Sequence, residues 1–144
     1  MKTPVLFSVS GNASDYAPLF AAARERGTKV GWLELDSVAM NSRTPAGPPF
    51  TSAFRTVEVS ERWTVSTKPR KGPAVLRDLL REHFLGADVV LVLGLDLFPK
   101  LVRRDDEWEL EEAAGKKRRL STEALLDRAR KPVLRWRDPK ELAK

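Results

Sequence analysis

The chain has no cysteine, one histidine and one tyrosine among 144 residues. Lacking cysteine, it has neither disulfides nor thiolate metal sites nor a cysteine nucleophile, which suits a reducing compartment. With His83 alone, multi-histidine metal centres are excluded and a serine–histidine–aspartate triad is disfavoured. His83 stands beside Phe84 near a helix end, where a structural role is expected. Long hydrophobic runs are also missing. The opening apolar stretch Val5–Val9 is too short for a signal-peptide core and far too short to span a bilayer. The sequence therefore predicts a cytoplasmic protein with no membrane segment.

What is present is globular in composition, 42% hydrophobic and 32% charged. A chain of this length fits one domain, 1–144, with a core that needs no staples. The net charge is +6 and the pI about 9.9. Such a surface favours polyanions, nucleotides or acidic partners, and it equally suits a protein laced with charge networks.

The periodicity changes repeatedly along the chain. Residues Pro4–Ser10 form a short β-branched run, as in a strand buried on both faces of a parallel sheet. After Gly11-Asn12-Ala13-Ser14, the residues Tyr16, Leu19, Phe20 and Ala23 fall on one helical face. Ser14 or Asp15 suits the N-cap, and Gly27 the left-handed stop. Lys29–Leu35 reads as a second strand, and a strand–helix–strand unit with tight connections predicts a right-handed crossover and parallel pairing. A loop-like stretch over 37–55 follows. Thr56–Ser66 reads as one bent strand or a hairpin turning at Glu61-Arg62, and a helix begins near Pro73 with Val75, Leu76, Leu79, Leu80 and Phe84 on its apolar face and Gly86 at its end. Asp88–Leu95 is the most apolar run and is expected to be the central strand. Acidic 105–112 and basic 116–119 suggest a charge-paired, protruding hairpin, with an amphipathic helix as the alternative. Ser121 caps a last helix to about Arg130, with Leu125 and Leu126 inward, and Pro132–Arg135 reads as a short edge strand. The expected fold is α/β: a Rossmann-like three-layer sandwich with a mainly parallel sheet of about five strands. Trp32 and Trp63 are expected in the core, Trp108 and Trp136 at exposed contact surfaces.

In such sheets ligands gather beyond the carboxyl ends of the strands. Asp15, Asp36 and Asp96 each follow a strand there. Converging, they suit Mg²⁺ or Mn²⁺, which prefer oxygen ligands, and such a metal activates water for phosphodiester cleavage. Separately, Asp15 is a helix cap, Asp36 a cap or turn residue, and Asp96 the start of a turn before Pro99.

Ser10-Gly11-Asn12-Ala13-Ser14-Asp15-Tyr16-Ala17-Pro18-Leu19, continued by Arg24-Glu25-Arg26-Gly27-Thr28-Lys29-Val30, resembles part of the NYN branch of the PIN-like ribonucleases. The resemblance implies a Rossmann-like fold and a magnesium-dependent RNA-cleaving site made of aspartates. On that matching Asp15 stands at the second aspartate of the motif, and Asn12 roughly at the first, with one extra residue between. Leu85–Leu91 followed by Asp96 is similar to the acidic strand of that family, in reversed order along the chain. Asp15 and Asp96 would then be catalytic, and Asp15, Asp36 and Asp96 the metal ligands.

The same loop admits a non-enzymatic reading. Gly11 allows close backbone approach, Ser10, Asn12 and Ser14 offer hydrogen bonds, and a following helix start presents N–H groups to a phosphate. In this it resembles the first β–α turn of CRISPR-associated Rossmann-fold (CARF-like) sensor domains. That reading implies a nucleotide or cyclic oligonucleotide ligand and a homodimer. There is no G-x-G-x-x-G and no G-K-[ST]. Arg70 and Lys71, with Lys68, form a second candidate anion site before the helix near Pro73. The partner expected overall is a nucleotide or RNA, through an enzyme, a sensor or a basic interaction surface.

Overall fold

The computed structural model describes residues 4–35, 53–70 and 75–130. They fall into two compact units, divided between Leu35 and Asp36 and between Val75 and Leu76.

The larger unit is built on a six-stranded sheet. Its strands are β1 (Val5–Val9), β2 (Val30–Glu34), β5 (Val89–Leu93), β6 (Lys100–Arg104), β7 (Glu107–Glu111) and β8 (Lys117–Leu120). They lie in the order β2-β5-β1-β6-β7-β8. The pairs β2–β5, β5–β1 and β1–β6 are parallel, and β6–β7 and β7–β8 antiparallel. The sheet is thus mostly parallel in its first half and a meander in its second. β1 and β2 share a direction but do not pair: β5 inserts between them and bonds to both. That corrects the direct pairing expected of a tight strand–helix–strand unit, and the reason is apolarity. Val89–Val92 are all buried, so this run takes the position covered on both faces.

Alternation along the strands divides the core into two layers. Phe7, Val9, Val89, Leu91, Leu101, Trp108 and Leu110 face α1 (Ala17–Glu25) and α3 (Thr122–Arg130). Val90 and Val92 face α2 (Leu76–His83), through Leu76 and Leu80. Each such side chain contributes roughly 1.5–3 kcal/mol on full burial. Ser121 caps α3 by accepting the Ala124 N–H at 3.2 Å, and Leu125 and Leu126 point inward as the periodicity predicts. Gly31 on β2 leaves the room that Phe84 fills: a Cβ there would lie 2.5 Å from Phe84 Cδ1.

The acidic and basic segments do form a hairpin, but it is the outer half of the sheet instead of a protrusion. Glu109 lies opposite Arg119 and Glu111 opposite Lys117. Glu111 also lies opposite Lys100, and Arg104 and Lys117 reach Glu109 at 3.7 and 4.0 Å. Charges alternate across this face while Trp108, Leu110 and Leu120 line the other. Trp108, expected at the surface, is only 1% exposed and its indole N–H donates to Thr122 Oγ1 at 3.0 Å. Burial requires that partner for the indole, and α3 supplies it. Trp32 is half-buried against the same core, as expected.

In the smaller unit, β3 (Thr56–Val59) and β4 (Thr64–Thr67) pair antiparallel as a separate two-stranded sheet. The hairpin alternative for this segment is therefore the one adopted. Its turn is closed by the Ser60 N–H on the Trp63 carbonyl at 2.8 Å. Trp63, expected in the core, is 74% exposed at that turn. The strand expected at Pro132–Arg135 and Trp136 lie outside the described residues. No described helix is long and apolar enough to cross a membrane.

Candidate functional site

At the carboxyl end of β1 the chain leaves the sheet through Ser10, Gly11 and Asn12 and enters a single 3-10 turn, Ala13–Tyr16, before α1. Gly11 has φ +89, a conformation that disfavours other residues, and a Cβ on it would sit 2.9 Å from Asp15 Oδ2. Asp15 folds back on the turn. Its Oδ2 accepts the Asn12 N–H at 3.2 Å, and its own N–H donates to the Asn12 carbonyl at 3.0 Å. The N-cap of this turn is Asn12, in place of the expected Ser14 or Asp15, and Asp15 is the third residue of its capping box, an arrangement worth about 1 kcal/mol. The Ala17 N–H donates to the Ser14 carbonyl, and the next residue, Pro18, has no N–H. At the start of α1, Ala17 and Pro18 therefore offer a phosphate no free N–H.

Tyr16 fixes this turn to the sheet. Its hydroxyl donates to the Ser10 carbonyl at 2.7 Å and lies 3.3 Å from the Leu101 carbonyl. Its ring packs between Trp32 and Trp108. Burial, helped by the nearby negative charge of Asp15, pushes the phenol above its ordinary pKa.

β6 supplies the opposite wall. Arg103 Nη1 donates to the Asp15 carbonyl at 3.1 Å, and Arg103 Nε to the Asp105 carbonyl at 3.0 Å. Asp105 turns the chain from β6 to β7 with φ 57, a left-handed angle that aspartate tolerates. Between these walls lies an open cavity of about 400 Å³, lined by Ser10, Gly11, Asp15, Tyr16, Val102, Arg103 and Asp105. The sequence located its first wall. Arg103 and Asp105 carry no local sequence signal, since they lie about 90 residues away and meet Asp15 only through strand pairing.

Of the other candidate residues, those described do not line this cavity. Asp96 is 91% exposed and pairs with Lys100, Oδ1 to Nζ, at 2.6 Å. The hydrogen bond and charge of that ammonium hold its carboxyl below the usual range, and Lys100 is correspondingly raised. Asp36 and Lys71 lie outside the described residues. Arg70 is exposed in the smaller unit. Asn12 and Ser14 are exposed on the strand-end turn. Among the described residues no three His, Cys, Asp or Glu side chains group as metal ligands.

No family model matches the chain, and no curated protein matches it. Solved structures similar to it include the MobB protein homolog from Bacillus stearothermophilus, 22% identical over 67% of this chain and 60% of that one, TM-score 0.44. Two structures of Bacillus subtilis MobB are 19% and 18% identical over 72% and 68% of this chain, with TM-scores 0.46 and 0.44. They are covered over 69% and 63% of their lengths. The chain thus spans about 60% of the length of the Bacillus stearothermophilus protein. Its own strand order and layering establish the α/β fold.

Proposed function

We propose that this chain is a nucleotide-directed binding protein whose ligand enters the cavity between the Ser10–Tyr16 turn and β6. The observation that carries the reading is the cavity itself, walled by Ser10, Gly11 and Asp15 on one side and Arg103 and Asp105 on the other. It lies beyond the carboxyl end of a parallel strand, with β5 on one side of that strand and β6 on the other. Pockets in open α/β sheets are found at such points. A cavity of this size takes a nucleoside, and its mixture of carboxylates with one guanidinium offers both acceptors and a cation.

The reading is one of binding. Asp15 accepts a hydrogen bond within its turn, Asp96 pairs with Lys100, and among the described residues no three acids group as metal ligands. The test is thermal unfolding with ribonucleosides, mono- and triphosphates and a short single-stranded RNA. A ligand at one hundred times its dissociation constant stabilises the fold by about 2.7 kcal/mol. Ser10→Trp, which fills the cavity from an exposed position, abolishes that shift while the ligand-free protein unfolds as before. A flat screen overturns the proposal. Mg²⁺- or Mn²⁺-dependent RNA cleavage, lost in Asp96→Asn, would replace it with the ribonuclease reading.

A further inference from the structure

We propose that the β3–β4 hairpin docks a second copy of this chain, joined antiparallel along the outer edge of β4. The proposal is independent of the cavity and of the nucleotide reading.

None of the residues 53–70 is buried. Phe54, Val57, Val59, Trp63 and Val65 lie on this short segment, five of the eight large hydrophobic side chains exposed among the described residues. The hairpin is a sheet of two strands with neither face buried. A sheet gains stability of its own from a third strand and a covered apolar face.

The register identifies the edge that can recruit that strand. The bond that closes the turn, from the Ser60 N–H to the Trp63 carbonyl, makes these two residues a bonded pair. Bonded and non-bonded pairs alternate along an antiparallel ladder. Glu58–Val65 and Thr56–Thr67 are therefore bonded pairs, whereas Val59–Thr64 and Val57–Ser66 are not. Thr64 and Ser66 thus turn their N–H and C=O groups away from β3, along the outer edge of β4. Extended backbone is what satisfies such a row.

Self-complementarity selects the occupant. From Trp63 to Thr67 the chain carries no ionisable side chain and neither proline nor glycine, so nothing along it repels its own copy. β3 has Glu58 in its interior, a charge of the kind that guards sheet edges. A two-fold axis through Val65, normal to the sheet, sets Thr64 opposite Ser66 of the second copy, and Ser66 opposite its Thr64. All the outward groups of these residues then pair at once. The same axis keeps Trp63 and Val65 of both copies on one face, where Val65 meets its counterpart and each Trp63 is a diagonal neighbour. Such a contact closes as a dimer with a four-stranded sheet.

The experiment is sedimentation equilibrium of the full chain from about 10 to about 200 μM. A monomer–dimer equilibrium is expected. Val65→Lys sets two ammonium groups against each other at the axis and is expected to weaken association roughly tenfold or more. Val57→Lys, on the other strand and the other face, leaves it unchanged. Added salt strengthens association, since Arg62 and Lys68 bound the seam with like charges. The chain has no cysteine, so Val65→Cys reports the contact directly: oxidation joins two copies at the axis, ahead of Val59→Cys. A chain monomeric throughout, a dimer indifferent to Val65→Lys or dissociated by salt, or cross-linking at Val59→Cys as fast as at Val65→Cys overturns the proposal. So does a monomer that binds anionic vesicles or single-stranded RNA through Trp63, which would give the surface to that partner.

Discussion

Tyr16 stacks on Trp108, with ring centroids 5.5 Å apart and planes inclined by 22°. One residue belongs to the turn after β1 and the other to β7, so this pair joins the loop of the candidate site to the outer half of the sheet. The Tyr16 hydroxyl then holds the Ser10 carbonyl, at the edge of the cavity.

Removing that hydroxyl tests the joint. Tyr16→Phe keeps the ring stack but leaves the part-buried Ser10 carbonyl without its donor, at a cost of about 1–2 kcal/mol in stability. Tyr16→Ala also empties the ring's place between two tryptophans and is expected to cost about 3–5 kcal/mol. Urea unfolding measures both, and a neutral Tyr16→Phe would show that the hydrogen bond carries no net stability.

Tyr16 is the chain's one tyrosine, so phenol absorbance during alkaline titration reports it alone. In the folded protein it is expected to ionise above its ordinary 10.0, because burial disfavours the phenolate. Its folded pKa exceeds the unfolded one. The stability linked to it is therefore complete below the unfolded pKa and is lost as pH rises toward and through the folded one. Denaturant should return the midpoint to the ordinary value. A native midpoint at or below that value would contradict the burial.

Two glycines are sensitive to an added methyl group for different reasons. Gly31→Ala drives a Cβ to 2.5 Å from the Phe84 ring, which must move, and overpacking of this kind costs about 1–3 kcal/mol. Gly94→Ala meets the Leu35 carbonyl oxygen at 2.5 Å from a backbone with φ +93. Here backbone has to shift and strain is added, so about 3 kcal/mol or more is expected. Thermal unfolding should rank Gly94→Ala as the worse of the two.

The Asp96–Lys100 pair is an exposed contact, and its signature is a titration. Carboxyl NMR is expected to place Asp96 below the ordinary range, with Lys100→Met returning it. The contribution of Asp96 is present above its unfolded pKa and is lost as pH falls through the depressed folded one. For Lys100, whose pKa is raised, the contribution is present below the unfolded pKa and is lost as pH rises through the folded one. Added salt weakens both, since surface pairs are screened.

The strands β1, β2 and β5 are legible in the sequence because each is a short apolar run. β6 is not. Lys100-Leu101-Val102-Arg103-Arg104 carries three cations in five residues, and only Leu101 is fully buried. Its place in the sheet comes from pairing with Glu107–Glu111, a partner that local pattern does not reveal. The same cause hid half of the candidate site, since Arg103 and Asp105 reach the strand-end turn only after β6 is placed. Trp108 misled for a related reason. Its neighbours in sequence are acids, yet it alternates with them and faces the tyrosine, whereas Trp63 shares the spacing of Val65 in a hairpin and stays exposed.

β6 meets β1 at only two register positions, Ser8 with Lys100 and Val9 with Leu101. The rest of β6, with Val102 and Arg103, and the turn at Asp105 run on past the end of β1 like a cantilever. One jaw of the cavity is therefore anchored in the parallel ladder, and the other hangs from the meander. A ligand touching both jaws adds a tie where the backbone has none. Slower amide exchange across β7 and β8, far from any ligand atom, is the mark such a tie would leave.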